Sequence, residues 1–119
     1  MINSSIPFIF AIALGLFKLI VGIVMYFFPP KEINNLYGYR TKKSMKSMQS
    51  WKLGNRYVAS LFILFAIVFT VVNIALISIL NSNITFPSMF GIIGLIDFLT
   101  YFLAIALTEI KLSKQYHEK

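Results

Sequence analysis

The stretch PPKEINNLYGYRTKKSMKSMQSWKLGNR, Pro29 to Arg56, decides how the rest of the chain is read. It sets Lys31, Arg40, Lys42, Lys43, Lys46, Lys52 and Arg56 against a single acid, Glu32, and long apolar runs border it on both sides. Upstream, Ile6 to Phe28 is interrupted by Lys18 alone. At about 1.5 Å per residue this run reaches roughly 34 Å, enough for a hydrocarbon layer of about 30 Å. Pro29-Pro30 cannot carry the helix further. Downstream, Tyr57 to Leu80 forms a second run whose notable polar residues are Thr70 and Asn73. After the uncharged link Asn81 to Thr85, Pro87 stands where a helix starts, and a third run continues from Ser88 to about Ile110. The first run lacks the basic flank and small-residue cleavage pattern of a signal peptide, so it is expected to stay in place as a span.

Composition agrees. The 119 residues are 58% hydrophobic and 13% charged, with a mean hydropathy of +0.78, well above a soluble domain's apolar share of about 45–50%. The expected fold is an all-α integral membrane protein, one domain over residues 1–119, with spans at about 6–28, 57–80 and 88–110. Basic residues outside these runs number none before the first, seven between the first and second, none in the link and three after the third, namely Lys111, Lys114 and Lys119. That bias places the basic loop and the C-terminus in the cytoplasm and the N-terminus outside. The net charge of +7 gathers at the ends of apolar runs and not across a folded face. It therefore points to anionic lipid headgroups and away from nucleic acid. With zero cysteines, thiolate chemistry and disulfides are excluded.

Small and aromatic residues suggest how the runs pack. Gly15 and Gly22 share a helix face and would admit a close neighbour, and Gly91, Gly94 and Ala104 suggest a second such surface. Ser44 or Ser50 can cap a helical approach to the second run, with Trp51 and Tyr57 in an interfacial belt.

Lys18 and Asp97 are each costly in hydrocarbon, about 2.5–3.5 kcal/mol on insertion scales. Lys18 lies 12 positions beyond Ile6 and Asp97 lies 10 beyond Pro87, so their depths differ by roughly 3 Å. Asn73 and Thr70 fall near the same level, and a buried polar layer of Lys18, Thr70, Asn73 and Asp97 is expected. Three readings of it stay open: an ion pair that fixes helix packing, a ligand or proton site, and a snorkelling Lys18. At the inner boundary, Glu109 is expected either to pair with Arg56 or Arg40 or to be solvated among headgroups.

The loop carries no nucleophile with a base and orienter, no paired carboxylates, no metal-spaced ligands and no phosphate cradle of Walker type. An enzyme, a metal or a cofactor is therefore not expected. Tyr37-Gly38-Tyr39 is not a potassium filter, which needs threonine and valine ahead of the turn. What stands out is a tight turn at Gly38 between two tyrosines, followed by Arg40 and Thr41. His117 sits in a polar tail and is expected to be solvated.

The pattern PP-K-x-I-N-x-L-YGYRT over Pro29 to Thr41 is followed by Ser44-Met45-Lys46, Trp51, Asn55-Arg56-Tyr57 and Thr108-Glu109-x-x-Leu112-x-Lys114. With these motifs the chain resembles the SdpI family, named for the immunity protein against a sporulation-delaying peptide toxin. Lys42 stands where such proteins often have proline, and Tyr116-His117 replaces a common Phe-Asp. The namesake has six spans with this signature in its C-terminal half; the present chain is similar to that half. The resemblance implies immunity to a peptide toxin or bacteriocin at the bacterial plasma membrane, with a cytoplasmic repressor as partner and an assembly of copies as one form. It also marks Tyr37, Gly38, Tyr39, Arg40, Thr41, Trp51, Asn55 and Arg56 as the binding or signalling loop. The rival readings are a holin-like protein and a small transporter using Lys18 and Asp97.

Overall fold

In the computed structural model, which describes residues 5–80 and 83–117, the chain forms three helices: α1 (Ile6–Phe27), α2 (Met48–Leu80) and α3 (Phe86–His117). All three are long and apolar enough to cross a membrane, with mean hydropathies of 2.6, 2.8 and 2.2 in their most apolar windows. Only 28%, 22% and 22% of those windows is buried within the protein, which leaves most of each apolar surface for lipid. The chain is thus an all-helical, multi-pass membrane protein. Of the expected link, Asn81 and Ser82 lie outside the described residues, as do Lys119 and the side chain of His117.

The first helix ends where the sequence requires, with Phe28 N–H closing on Val24 O at 2.8 Å before Pro29-Pro30. Two other boundaries move. The helical approach expected ahead of Tyr57 is continuous with the second helix and begins at Met48, capped by Ser47 and not by Ser44 or Ser50: Ser47 Oγ accepts from Ser50 N–H at 3.1 Å. Ser44 is used in the loop instead. The third helix runs from Phe86 through the polar tail to His117, well past Ile110. Thr85 Oγ1 caps its start, accepting from Ser88 N–H at 3.4 Å.

These extensions change the architecture. At 33 and 32 residues, α2 and α3 are each nearly 50 Å long by helical rise, against about 30 Å of hydrocarbon. The excess stands beyond one boundary as a polar cap closed by the connection 28–47. Lys52 and Arg56 thereby belong to a helix and not to the loop.

Contacts fix an up-down-up bundle in which α2 is central and α1 and α3 meet sparingly. At the link end, Ala11, Ile77, Met89 and Ile93 form one apolar cluster, and the Phe10 and Phe90 rings lie 4.6 Å apart. At the loop end, Met25, Tyr39, Val58, Phe65, Ala104 and Leu112 form another. Gly22 brings α1 close to α2: a Cβ there would stand 3.0 Å from Ile63 N and 3.1 Å from Ala59 O. Without a hydrophobic drive between helices in lipid, such close approach is the main source of attraction. Ala104 is buried as well. Gly91 and Gly94 do not form the expected packing surface; nothing lies within 4 Å of a Cβ built on either.

Candidate functional site

Two polar constellations are built on this frame, one inside the bundle and one on its cap. Inside, Lys18 is 1% exposed and Asp97 8%. The Lys18 ammonium donates to Asp97 Oδ1 at 2.7 Å, to Thr100 Oγ1, and at the edge of hydrogen-bond range to the Asp97 carbonyl. It also lies 4.6 Å from the centroid of the Tyr101 ring. Thr100 in turn donates to the Asp97 carbonyl at 2.6 Å. The helical rise places Asp97, Thr100 and Tyr101 on one face of α3, so one turn of that helix supplies the whole receptor for Lys18. Thr100 and Tyr101 are the residues sequence reasoning missed; their signal was spacing of three and four from Asp97.

The other two members of the expected layer do not join. Thr70 faces Gly15, where a Cβ would lie 3.2 Å from Thr70 Cβ, and it lines an apolar groove with Ile12, Leu16, Leu19, Ala66 and Ile67. Asn73 is 2% exposed, and its buried Oδ1 has no hydrogen-bond partner among the described residues.

On the cap, the Tyr37–Thr41 turn is folded down onto both long helices. Asn34 prepares it, its Oδ1 accepting from Leu36 N–H at 2.9 Å and from Tyr37 N–H at 2.7 Å. The Tyr37 hydroxyl donates to Phe28 O at 2.8 Å, tying the turn to the end of α1. Gly38 has φ +116°, a backbone conformation natural to glycine. A Cβ there would also meet Asn55 Oδ1 and Pro30 Cγ at 2.7 Å. Asn55 then acts as a clamp: its Oδ1 accepts from Tyr39 N–H at 2.6 Å and its Nδ2 donates to Trp51 O at 2.9 Å. Trp51, expected in an interfacial belt, is instead fully buried, with its indole N–H donating to Pro30 O at 2.9 Å. The loop folds over it because a buried indole N–H must find an acceptor.

Tyr39 reaches across to α3, where its hydroxyl donates to Glu109 Oε1 at 2.5 Å. Glu109 therefore pairs with neither Arg56 nor Arg40. Arg56 donates to the Tyr26 hydroxyl at 3.1 Å and lies over that ring, while Arg40 donates to Asn35 O. Burial, reinforced by the Glu109 carboxylate, pushes the Tyr39 phenol well above its ordinary value of 10.0. The folded state thus holds this proton more tightly than an unfolded tyrosine. Its contribution is complete below the ordinary phenol value and is lost as pH rises through the raised one, so physiological pH leaves it intact. Ser44 closes the turn, its Oγ accepting from Thr41 N–H at 2.8 Å and donating to Tyr39 O at 2.9 Å. Lys43 donates to Ser113 on α3.

Among the described residues no group of three or more acids, histidines or cysteines could hold a metal. The cap is tied by hydrogen bonds to Phe28 at the end of α1, to Asn55 of α2 and to Glu109 of α3.

Comparison with known proteins covers the loop, α2 and α3 as far as Leu107, and includes neither Lys18 nor Glu109. The family described as the SdpI/YfhL protein family matches residues 31–107. Uncharacterized protein YfhL of Bacillus subtilis (strain 168) is 50% identical over 54 residues, which is 45% of this chain and 49% of that protein. The match thus spans about half the length of the curated relative. No solved structure matches the chain.

Proposed function

The chain belongs to the SdpI/YfhL family, and on that premise we propose that it is a non-enzymatic membrane immunity protein. A peptide toxin arriving from outside is met by the spans, and the rearrangement is passed to the Tyr37–Thr41 turn, where a cytoplasmic regulator docks. The observation that carries this reading is the double attachment of Tyr39, whose backbone is held by Asn55 of α2 and whose hydroxyl is held by Glu109 of α3. A shift of 1–2 Å between these helices, typical of switching proteins, would break a bond of 2.5 Å. The transport reading has less support, since Lys18 is sealed at 1% exposure.

Survival of toxin-challenged cells tests the relay. At equal membrane abundance, Tyr39→Phe should lower survival about tenfold relative to wild type, because it keeps the ring and deletes only the link to Glu109. Unchanged survival would remove the turn from immunity, and permeabilisation of unchallenged cells by the wild type would favour the pore-forming alternative.

Orientation is part of the proposal, with the cap in the cytoplasm by its basic excess. The absence of native cysteine makes Lys42→Cys, at an exposed loop position, a clean probe. A membrane-impermeant maleimide should modify it in inverted vesicles and spare it in intact cells; the opposite pattern would reverse the direction of signalling.

A further inference from the structure

A cavity of about 440 Å³ opens on the side of the cap, lined by Tyr26, Pro29, Pro30, Lys31, Lys52, Asn55 and Arg56. Its volume falls in the range of small-ligand sites, about 300–1,000 Å³. Three cationic residues line it and no acid does. Glu32, next to Lys31 in sequence, is exposed and outside the lining. Among the described residues, Lys31, Lys52 and Arg56 form no ion pair within 4 Å. Like charges lining one cavity repel, and an anion placed between them relieves that repulsion.

The walls are held in advance. Trp51 fixes the Pro30 carbonyl, and Asn55 is tied to Trp51 and to the Tyr39 backbone. Lys52 and Arg56 are four apart on α2 and so share a face. Arg56 is oriented by its hydrogen bond and stacking with Tyr26, which leaves other N–H groups of its fork to donate. Height supplies the second argument. The apolar part of α1 ends at Phe27 and Phe28, which are 66% and 73% exposed and lie in sequence between the cavity-lining Tyr26 and Pro29, and the apolar run of α2 starts at Tyr57. The cations therefore stand where the apolar runs of α1 and α2 give way to polar sequence, the level expected for lipid phosphates.

We propose that the cavity bounded by Lys31, Lys52 and Arg56 is a binding site for a phosphate group, presented by an anionic phospholipid of the same leaflet. The site does not rest on the immunity reading and can stand or fall without it.

The test uses the full chain, purified in detergent and reconstituted with phosphatidylglycerol or phosphatidylcholine. Retained lipid is counted by native mass spectrometry, and thermal unfolding is followed with and without inorganic phosphate. Wild type should retain phosphatidylglycerol over phosphatidylcholine. Lys31→Gln should weaken that preference about fivefold, the equivalent of about 1 kcal/mol per basic residue at an anionic surface. Lys52→Gln/Arg56→Gln should weaken it about twentyfold or more. Lys42→Gln removes one charge from the same connection away from the cavity and should leave it unchanged. Lys31 is exposed in the connection outside the helices, so its variant keeps the test open if the double variant fails to fold. Stabilisation by inorganic phosphate with no preference among lipids, lost in Lys31→Gln, assigns the same cations to a soluble phosphate ester. Equal retention of both lipids without any phosphate effect, or equal loss in Lys42→Gln and Lys31→Gln, overturns the site.

Discussion

Lys18→Met should destabilise the bundle by about 3–5 kcal/mol, the usual consequence of leaving a buried charge without its partner. The variant strands the Asp97 carboxylate in the interior, while Thr100 keeps its own bond to the Asp97 carbonyl. The loss matters doubly here because α1 and α3 have few other contacts, so the ion pair is the principal polar lock between them. Asp97→Leu should cost a similar amount by stranding the ammonium. The pair Lys18→Met/Asp97→Leu should recover most of the loss, since an apolar replacement of both partners removes the desolvation penalty together with the attraction. Unfolding of the purified protein by sodium dodecyl sulfate titration in mixed micelles, followed by circular dichroism, reads all three variants. If the double variant falls as far as the sum of the singles, the pair is not a packing lock and the functional reading of Lys18 and Asp97 gains the ground.

The second large effect is expected at Trp51. Truncation to alanine should remove about 3–5 kcal/mol, as for other fully buried large aromatics. The effect is expected to be local in a specific way. Trp51 is where Pro30, Gly38 and Asn55 meet, so its loss should release the connection 28–47 while the apolar halves of the helices stay packed. Amide hydrogen exchange should accelerate at Tyr39, whose N–H is held by Asn55, and stay slow at the buried middle of α2. Trp51→Phe keeps much of the packing and deletes the N–H, which should cost about 1–3 kcal/mol by leaving the buried Pro30 carbonyl unpaired. A Trp51→Ala protein with unchanged unfolding and unchanged exchange at Tyr39 would mean that the cap is not organised around the indole.

The three long apolar helices and the family were legible because they depend on local quantities. A run such as Ile6 to Phe28 is apolar residue by residue, and proline stops it wherever it lies. The ends of α2 and α3 were less legible. The polar segments at 48–56 and 111–117 lack the hydropathy that marks a span; Leu112 packs on Gly54, Gln115 accepts from Ser50 and Ser113 accepts from Lys43 of the loop, contacts that hold 48–56 and 111–115 in helical register. The site divided in the same way. Tyr37–Thr41, Trp51 and Asn55 were singled out by their pattern, but that pattern is silent about Tyr39 choosing Glu109, Asn55 clamping Gly38, or Trp51 being buried. Lys18 and Asp97 could be matched by depth, whereas Thr70 and Asn73 at a similar depth face elsewhere, because depth specifies one coordinate and a side chain must also point the right way.

The sequence by itself determined three helices long and apolar enough to cross a membrane, with an excess of positive charge between the first two, since transfer free energies and charge bias add up along the chain without reference to partners. Only the tertiary structure decided which residues meet. It sealed Trp51, gave Glu109 to Tyr39, and brought Lys31 of the loop to the same cavity as Lys52 and Arg56 of α2. Those outcomes turn on direction and reach between segments far apart in the chain, and short-range hydrogen bonds resolve differences of an ångström that hydropathy cannot register.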